Sequence, residues 1–161
     1  MRIFGALLII AACYSTGVSL SKNESDKARA IDSLLKLLSY MKRRISAERT
    51  PIFDIFSSFS DDFLEKRGFL PILRSHRFES GNLWDTAVGT IPVNTETKSE
   101  LMHFGMDLGL LNLDEQLRRI ESCTDFLNAE RTRLRESLPK KQKSIKSFWL
   151  LSGVLAVIIL F

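Results

Sequence analysis

The sequence predicts an all-α fold, an antiparallel helical bundle of about six helices flanked by two transmembrane helices. Three observations support it. Apolar residues through the middle of the chain recur at the three- and four-residue spacing of amphipathic helices. The single β-like stretch, Thr90 to Thr95, contains Pro92, which cannot donate to a strand ladder. Both ends are long uncharged runs, Ile3 to Leu20 and Phe148 to Phe161. Residues 1–20 are accordingly expected to form an N-terminal transmembrane helix, 21–146 a cytoplasmic helical bundle and 147–161 a C-terminal transmembrane helix.

Taking the elements in order, Ile3 to Leu20 is preceded only by Met1 and Arg2. A removed signal peptide, a lipoprotein signal and a retained membrane helix compete for this segment. Ile10-Ala11-Ala12-Cys13 has the look of a lipobox, but the apolar run before Cys13 is short and the segment stays uncharged beyond it. Small residues such as Gly5, Ser15 and Gly17 suit a packed membrane helix, and retention is the favoured reading. A helical stripe of Ile31, Leu34, Leu35, Leu38, Met41 and Ile45 follows, with nothing to break the chain before it.

Thr50-Pro51 reads as an N-cap with proline at the first helical position. The helix it opens presents Ile52, Phe53, Phe56, Phe59 and Phe63 and ends at Gly68; Pro71 then starts a shorter segment through Phe78. Gly81-Asn82 is a turn before a brief helix around Leu83, Trp84, Ala87 and Val88. Asn94 or Thr95 caps a helix through Leu101, Phe104 and Leu108. Asn112 with Glu115 three residues on forms a capping-box pattern and opens the longest soluble helix, whose face is Leu113, Leu117, Ile120, Leu127, Leu134 and Leu138. Pro139 suits the first turn of a renewed helix.

Lys140, Lys141, Lys143 and Lys146 lead into the terminal run. Fourteen helical residues rise about 21 Å, short of the roughly 30 Å hydrocarbon core. Lysine stems can be buried while their ammonium groups reach the headgroups, which extends the span, and Trp149 lies where an interfacial indole belongs. Basic residues cluster on the inner flanks of the two ends, so the middle domain is expected to face the cytoplasm. From Arg131 to Lys146, seven Lys or Arg stand against the single acid Glu136, a membrane-proximal collar. No aromatic residues interleave with it, which argues against nucleic acid.

Chemistry is sparse. His76 and His103 are the only histidines and lack metal-ligand spacing. Asp61-Asp62 point in different directions on a helix and are expected to be solvated. No nucleophile elbow or phosphate loop is present, so no catalysis and no cofactor are expected. Cys123 reads as a small buried hydrophobe and Trp84 as a core residue. Arg118, Arg119, Arg131, Arg133 and Arg135 on the long helix are candidate contacts for an acidic partner or anionic lipid headgroups.

The stretch Phe104-Gly105-Met106-Asp107-Leu108-Gly109-Leu110-Leu111-Asn112, continuing through Gln116 to Ile120, resembles the central motif of the stage III sporulation protein AB family. That motif has a Leu-Gly pair, an Asp three residues later and a Gln four beyond. Leu108, Gly109, Asn112 and Gln116 fall at this spacing, with Asn112 in place of the aspartate and Leu111 in place of a Ser or Thr. Thr50-Pro51-Ile52 and Trp84-Asp85-Thr86-Ala87 extend the resemblance.

The resemblance implies a helical domain similar to the inner-membrane platform of type II secretion systems. It implies a non-enzymatic scaffold of the sporulation feeding-tube channel in the mother-cell membrane around the forespore. Its implied neighbours are a cytoplasmic secretion-type ATPase and other channel membrane proteins; the charge pattern adds membrane lipids to the expected partners, and a homo-oligomer is left open. The competing expectation is an exported surface binding module with a cleaved signal and a lipid-anchored C-terminus.

Overall fold

Apolar spacing of 3.6 residues sets the architecture, and the computed structural model contains seven helices and no strand among the described residues. It describes the backbone of residues 2–75, 83–109 and 111–160, and the side chains of residues 24–75, 83–106, 108–109 and 111–136. The helices are α1 (Arg2–Glu48), α2 (Ile52–Ser58), α3 (Asp62–Lys66), α4 (Phe69–Arg74), α5 (Leu83–Thr90), α6 (Thr95–Asp107) and α7 (Leu113–Leu160). The chain divides into two units, one of Met1–Asp26 with Arg133–Phe161, the other of Lys27–Thr132. The side chains of the two uncharged ends lie outside the described residues, as do His76, Phe78, Gly81, Asn82 and Leu138. Among the described residues no helix is long and apolar enough to cross a membrane.

Within the Lys27–Thr132 unit, Ile31, Leu34, Leu38, Met41 and Ile45 of α1 are all buried, at alternating steps of three and four. Ile120, Cys123, Leu127 and Glu130 of α7 repeat the same steps. The two stripes are the 3.5-residue seams of a helix pair. Its direction is read from two ion pairs: Asp32 meets Arg131 at 2.6 Å and Lys42 meets Glu121 at 2.7 Å. Ten residues forward on α1 correspond to ten backward on α7, so within this unit the pair is antiparallel. The Asp32 and Arg131 charges touch without a hydrogen-bonding angle, whereas Lys42 Nζ donates to Glu121 Oε1. The shared register, more than the energy of either exposed pair, is the information here.

The short helices cover the rest of the core. α4 packs on α2, α3 and α5, and α5 packs on α6. Trp84 of α5 is the hub, its ring centroid 6.0 Å from Phe56, 5.6 Å from Phe69 and 5.6 Å from Phe104. Its indole N–H donates to the Leu101 carbonyl at 2.6 Å, which satisfies the polar edge of an apolar ring.

Several boundaries differ from those the sequence predicts. Pro51, rather than Thr50, occupies the N-cap position of α2 and offers no side-chain cap; the Thr50 hydroxyl donates to Glu48 instead. The helix expected from Pro51 to Gly68 is two helices. Phe59 is extended, and Asp61 starts α3 by accepting from the amides of Phe63 at 3.0 Å and Leu64 at 3.2 Å. A carboxylate this close to free helical amides captures them, and the helix restarts there. Asp61 is therefore not solvated as expected: its side chain is only 8% exposed. The freed carbonyls ending α2 find Arg74, whose guanidinium donates to Phe56 and Phe59 while pairing with Glu65 at 2.7 Å. α7 runs past Pro139 within one set of bounds, where a renewed helix was expected.

Candidate functional site

The family-like stretch occupies the end of α6, the turn after it and the start of α7. Leu108 closes α6, its amide donating to the Gly105 carbonyl at 3.2 Å. Gly109 follows at φ +83°, a left-handed conformation that only glycine adopts without strain. A Cβ there would also stand 3.4 Å from Ile52 of α2. Asn112 then caps α7, its Oδ1 accepting from the Glu115 amide at 2.9 Å and its carbonyl from the Gln116 amide at 2.9 Å. The expected cap is thus present, and asparagine performs it as an aspartate would. Gln116 is half-buried in the first turns of α7, and its side-chain nitrogen is enclosed without a hydrogen-bond partner. Leu108, Gly109 and Asn112 hence build a tight reversal that aims α7 back along the body, which is a folding role.

Gly105, one turn before, carries a stronger constraint. A Cβ at this position would lie 1.9 Å from Trp84 Cδ1, so the indole rests directly on the α6 backbone. An isolated glycine inside an otherwise amphipathic helix was the available sequence signal for this close approach. Asp61 and Glu130 had weaker ones. Glu130, on the buried seam of α7 and 7% exposed, accepts from the Asn94 side-chain amide at 2.6 Å. Asn94 stands at the N-cap of α6 as predicted, but its side chain is spent on this tertiary bond and not on the cap.

Within the Lys27–Thr132 unit the candidate arginines differ in what they meet. Arg119 pairs with Glu100 at 3.6 Å and Arg131 with Asp32, both inside the Lys27–Thr132 unit. Arg118 is exposed and lies about 140° around α7 from Arg131 at 3.6 residues per turn. Arg133 and Arg135 are exposed and belong to the other unit.

Burial sets the electrostatics of the remaining groups. Burial pushes the Cys123 thiol up to about 12, Glu100 adding to the effect and Arg119 opposing it, so the fully enclosed sulfur stays protonated. Burial also acts to raise Asp61, but hydrogen bonds to Ser33, Leu64 and Lys36 outweigh it and hold the carboxyl below its ordinary 3.8. Lys42 holds the exposed Glu121 carboxyl below its usual value. Among the described residues no cluster of His, Cys, Asp and Glu is arranged to hold a metal ion.

These features define an all-helical protein whose signature residues shape a helical reversal and a tryptophan-centred core. The chain belongs to the stage III sporulation protein AB family, whose sequence profile matches residues 2–161. It is 23% identical over 175 residues to the stage III sporulation protein AB of Bacillus subtilis (strain 168), an alignment that covers 99% of each chain. No solved structure matches it.

Proposed function

We propose that the chain is a non-enzymatic platform of the sporulation channel, held by its two apolar ends in the mother-cell membrane around the forespore. In this reading the Lys27–Thr132 unit stands in the cytoplasm and couples to a secretion-type ATPase. Family membership supports the setting in sporulation. The observation that carries the platform reading is the antiparallel register of α1 and α7. It brings Lys27 and Thr132, where the chain enters and leaves this unit, to the same end of the helix pair. In the sequence that flanks these two exits the chain becomes uncharged over 3–20 and 148–161. A body whose two exits emerge together is suited to anchoring on one membrane face, and the lysines from 140 to 146 suit an anionic leaflet.

Association with the cognate ATPase tests the reading. The full chain in detergent is expected to retain the ATPase in a pull-down, and no association at high concentration sinks the coupling role. The mature protein is expected to keep residues 1–20 by mass spectrometry. Their loss would favour an exported, lipid-anchored protein instead.

A further inference from the structure

An open groove runs along the Lys27–Thr132 unit between α1, from Asp32 to Arg43, and α7, from Thr124 to Arg131. Its apolar lining is Leu35 and Tyr40 from α1 and Phe59 from the end of α2. The register that sets Lys42 opposite Glu121 also sets Ser39 opposite Thr124, so two short side chains leave the middle of the trough shallow but unfilled. The Thr124 hydroxyl already donates to the Ile120 carbonyl at 2.7 Å and makes no demand on an occupant.

Along the α1 side cations recur at a fixed interval. Arg29, Lys36 and Arg43 are all exposed and stand seven residues apart, so they share one side of α1 at intervals of about 10.5 Å. Lys36 is 68% exposed although it reaches Asp61 at 3.4 Å, and Arg43 lies over the Tyr40 ring at 5.5 Å. The one carboxylate in the groove wall, Asp32, is already matched by Arg131. A seven-residue repeat of cations beside an apolar trough is the flank of a helix–helix seam, where oppositely charged residues of the second helix are expected. An extended peptide, advancing about 3.3 Å per residue, has no matching heptad repeat.

We propose that this groove docks an acidic amphipathic helix of a partner protein. Carboxylates seven residues apart on that helix face Arg29, Lys36 and Arg43, and its apolar side covers the half-buried Leu35 and Tyr40. The inference deepens the platform reading and rests on it for the presence of a cytoplasmic partner. Helix-in-groove recognition supplies the area through apolar anchors and the selectivity through charge.

The test uses the full chain in neutral detergent and a labelled designed helical peptide of about 18 residues, with a leucine seam flanked by glutamates at every seventh position. A second peptide carries lysine for each glutamate. The glutamate peptide is expected to bind at least tenfold more tightly than the lysine peptide and to weaken as salt rises. The R29E/R43E double variant is expected to lose at least tenfold for the glutamate peptide and to gain the lysine peptide. Ser39→Trp, which fills the trough without touching the buried stripe, is expected to abolish binding of both. Circular dichroism monitors folding of each variant. Equal binding of the two peptides, or wild-type affinity in both variants, overturns the proposal. So does displacement of the peptide by soluble short-chain phosphatidylglycerol, which would assign the groove to lipid headgroups. ATPase retained by both variants overturns the groove and leaves the platform standing. Peptide binding as expected in a chain that never retains the ATPase upholds the groove and removes the platform.

Discussion

Trp84 and Gly105 show how single residues set this core. The indole is pinned by its bond to the Leu101 carbonyl and by three phenylalanine rings, so it cannot retreat from a methyl group placed 1.9 Å away. Gly105→Ala is expected to destabilise the fold by about 1–3 kcal/mol, as overpacking does. Thermal unfolding followed by near-UV circular dichroism measures this, and the penalty should shrink in a Trp84→Leu background that lacks the clashing ring.

Asp61 makes a pH-dependent contribution whose sign follows from its lowered pKa. The folded chain binds this proton less readily than the unfolded chain does. Its stabilisation is therefore complete above the ordinary value of 3.8 and disappears as pH falls through the lower folded value. Asp61→Asn keeps a capping oxygen but cannot titrate. Its midpoint is expected to fall less between pH 5 and the acid limit than that of the wild type. Asp61→Ala is expected to cost about 1 kcal/mol at neutral pH through loss of the cap.

At the level of elements, the reversal from α6 to α7 depends on backbone chemistry more than on side-chain contact. Asn112→Ala is expected to lower stability by about 1 kcal/mol. Asn112→Asp, which restores the residue type of the family motif, keeps the cap and adds a negative charge at a helix N-terminus. It is expected to match or exceed the wild type by about 0.3–1 kcal/mol. Urea titrations of the three chains rank them, and an aspartate variant as weak as the alanine one would remove the capping account. The element boundaries also show where local sequence misleads. Ile52, Phe53, Phe56, Phe59 and Phe63 keep a plausible helical spacing, yet Asp61 interrupts the helix because its carboxylate binds two amides and Lys36 of α1 meets it from outside. Spacing reports which residues seek the core; it does not report which polar group wins the backbone.

For the molecule as a whole, register is the decisive quantity, and Asp32 with Arg131 is its most testable marker. Asp32→Arg alone places two cations together and is expected to destabilise the chain by about 1 kcal/mol. The exchanged pair, Asp32→Arg with Arg131→Asp, is expected to regain most of that loss, and a double-mutant cycle on thermal midpoints reads the coupling. Zero coupling would mean that the two residues are not opposed. The same register places both exits of the Lys27–Thr132 unit at one end and opens the groove between α1 and α7, so the platform and docking proposals share this geometric root.

The helical class, the α1 stripe, the Asn112 cap and the burial of Cys123 were legible in residue order, because each depends on neighbours three or four positions away. The family was legible for the same reason, since Leu108, Gly109, Asn112 and Gln116 form one local reversal. Tertiary structure alone decided that Arg131 and Arg119 spend their charge inside the unit, and that Asn94 serves Glu130 in place of its own helix. It alone set Gly105 beneath an indole and left a cationic groove beside the seam. Each of these pairs residues far apart in the chain, and no periodicity within one segment encodes which distant side chain will stand opposite.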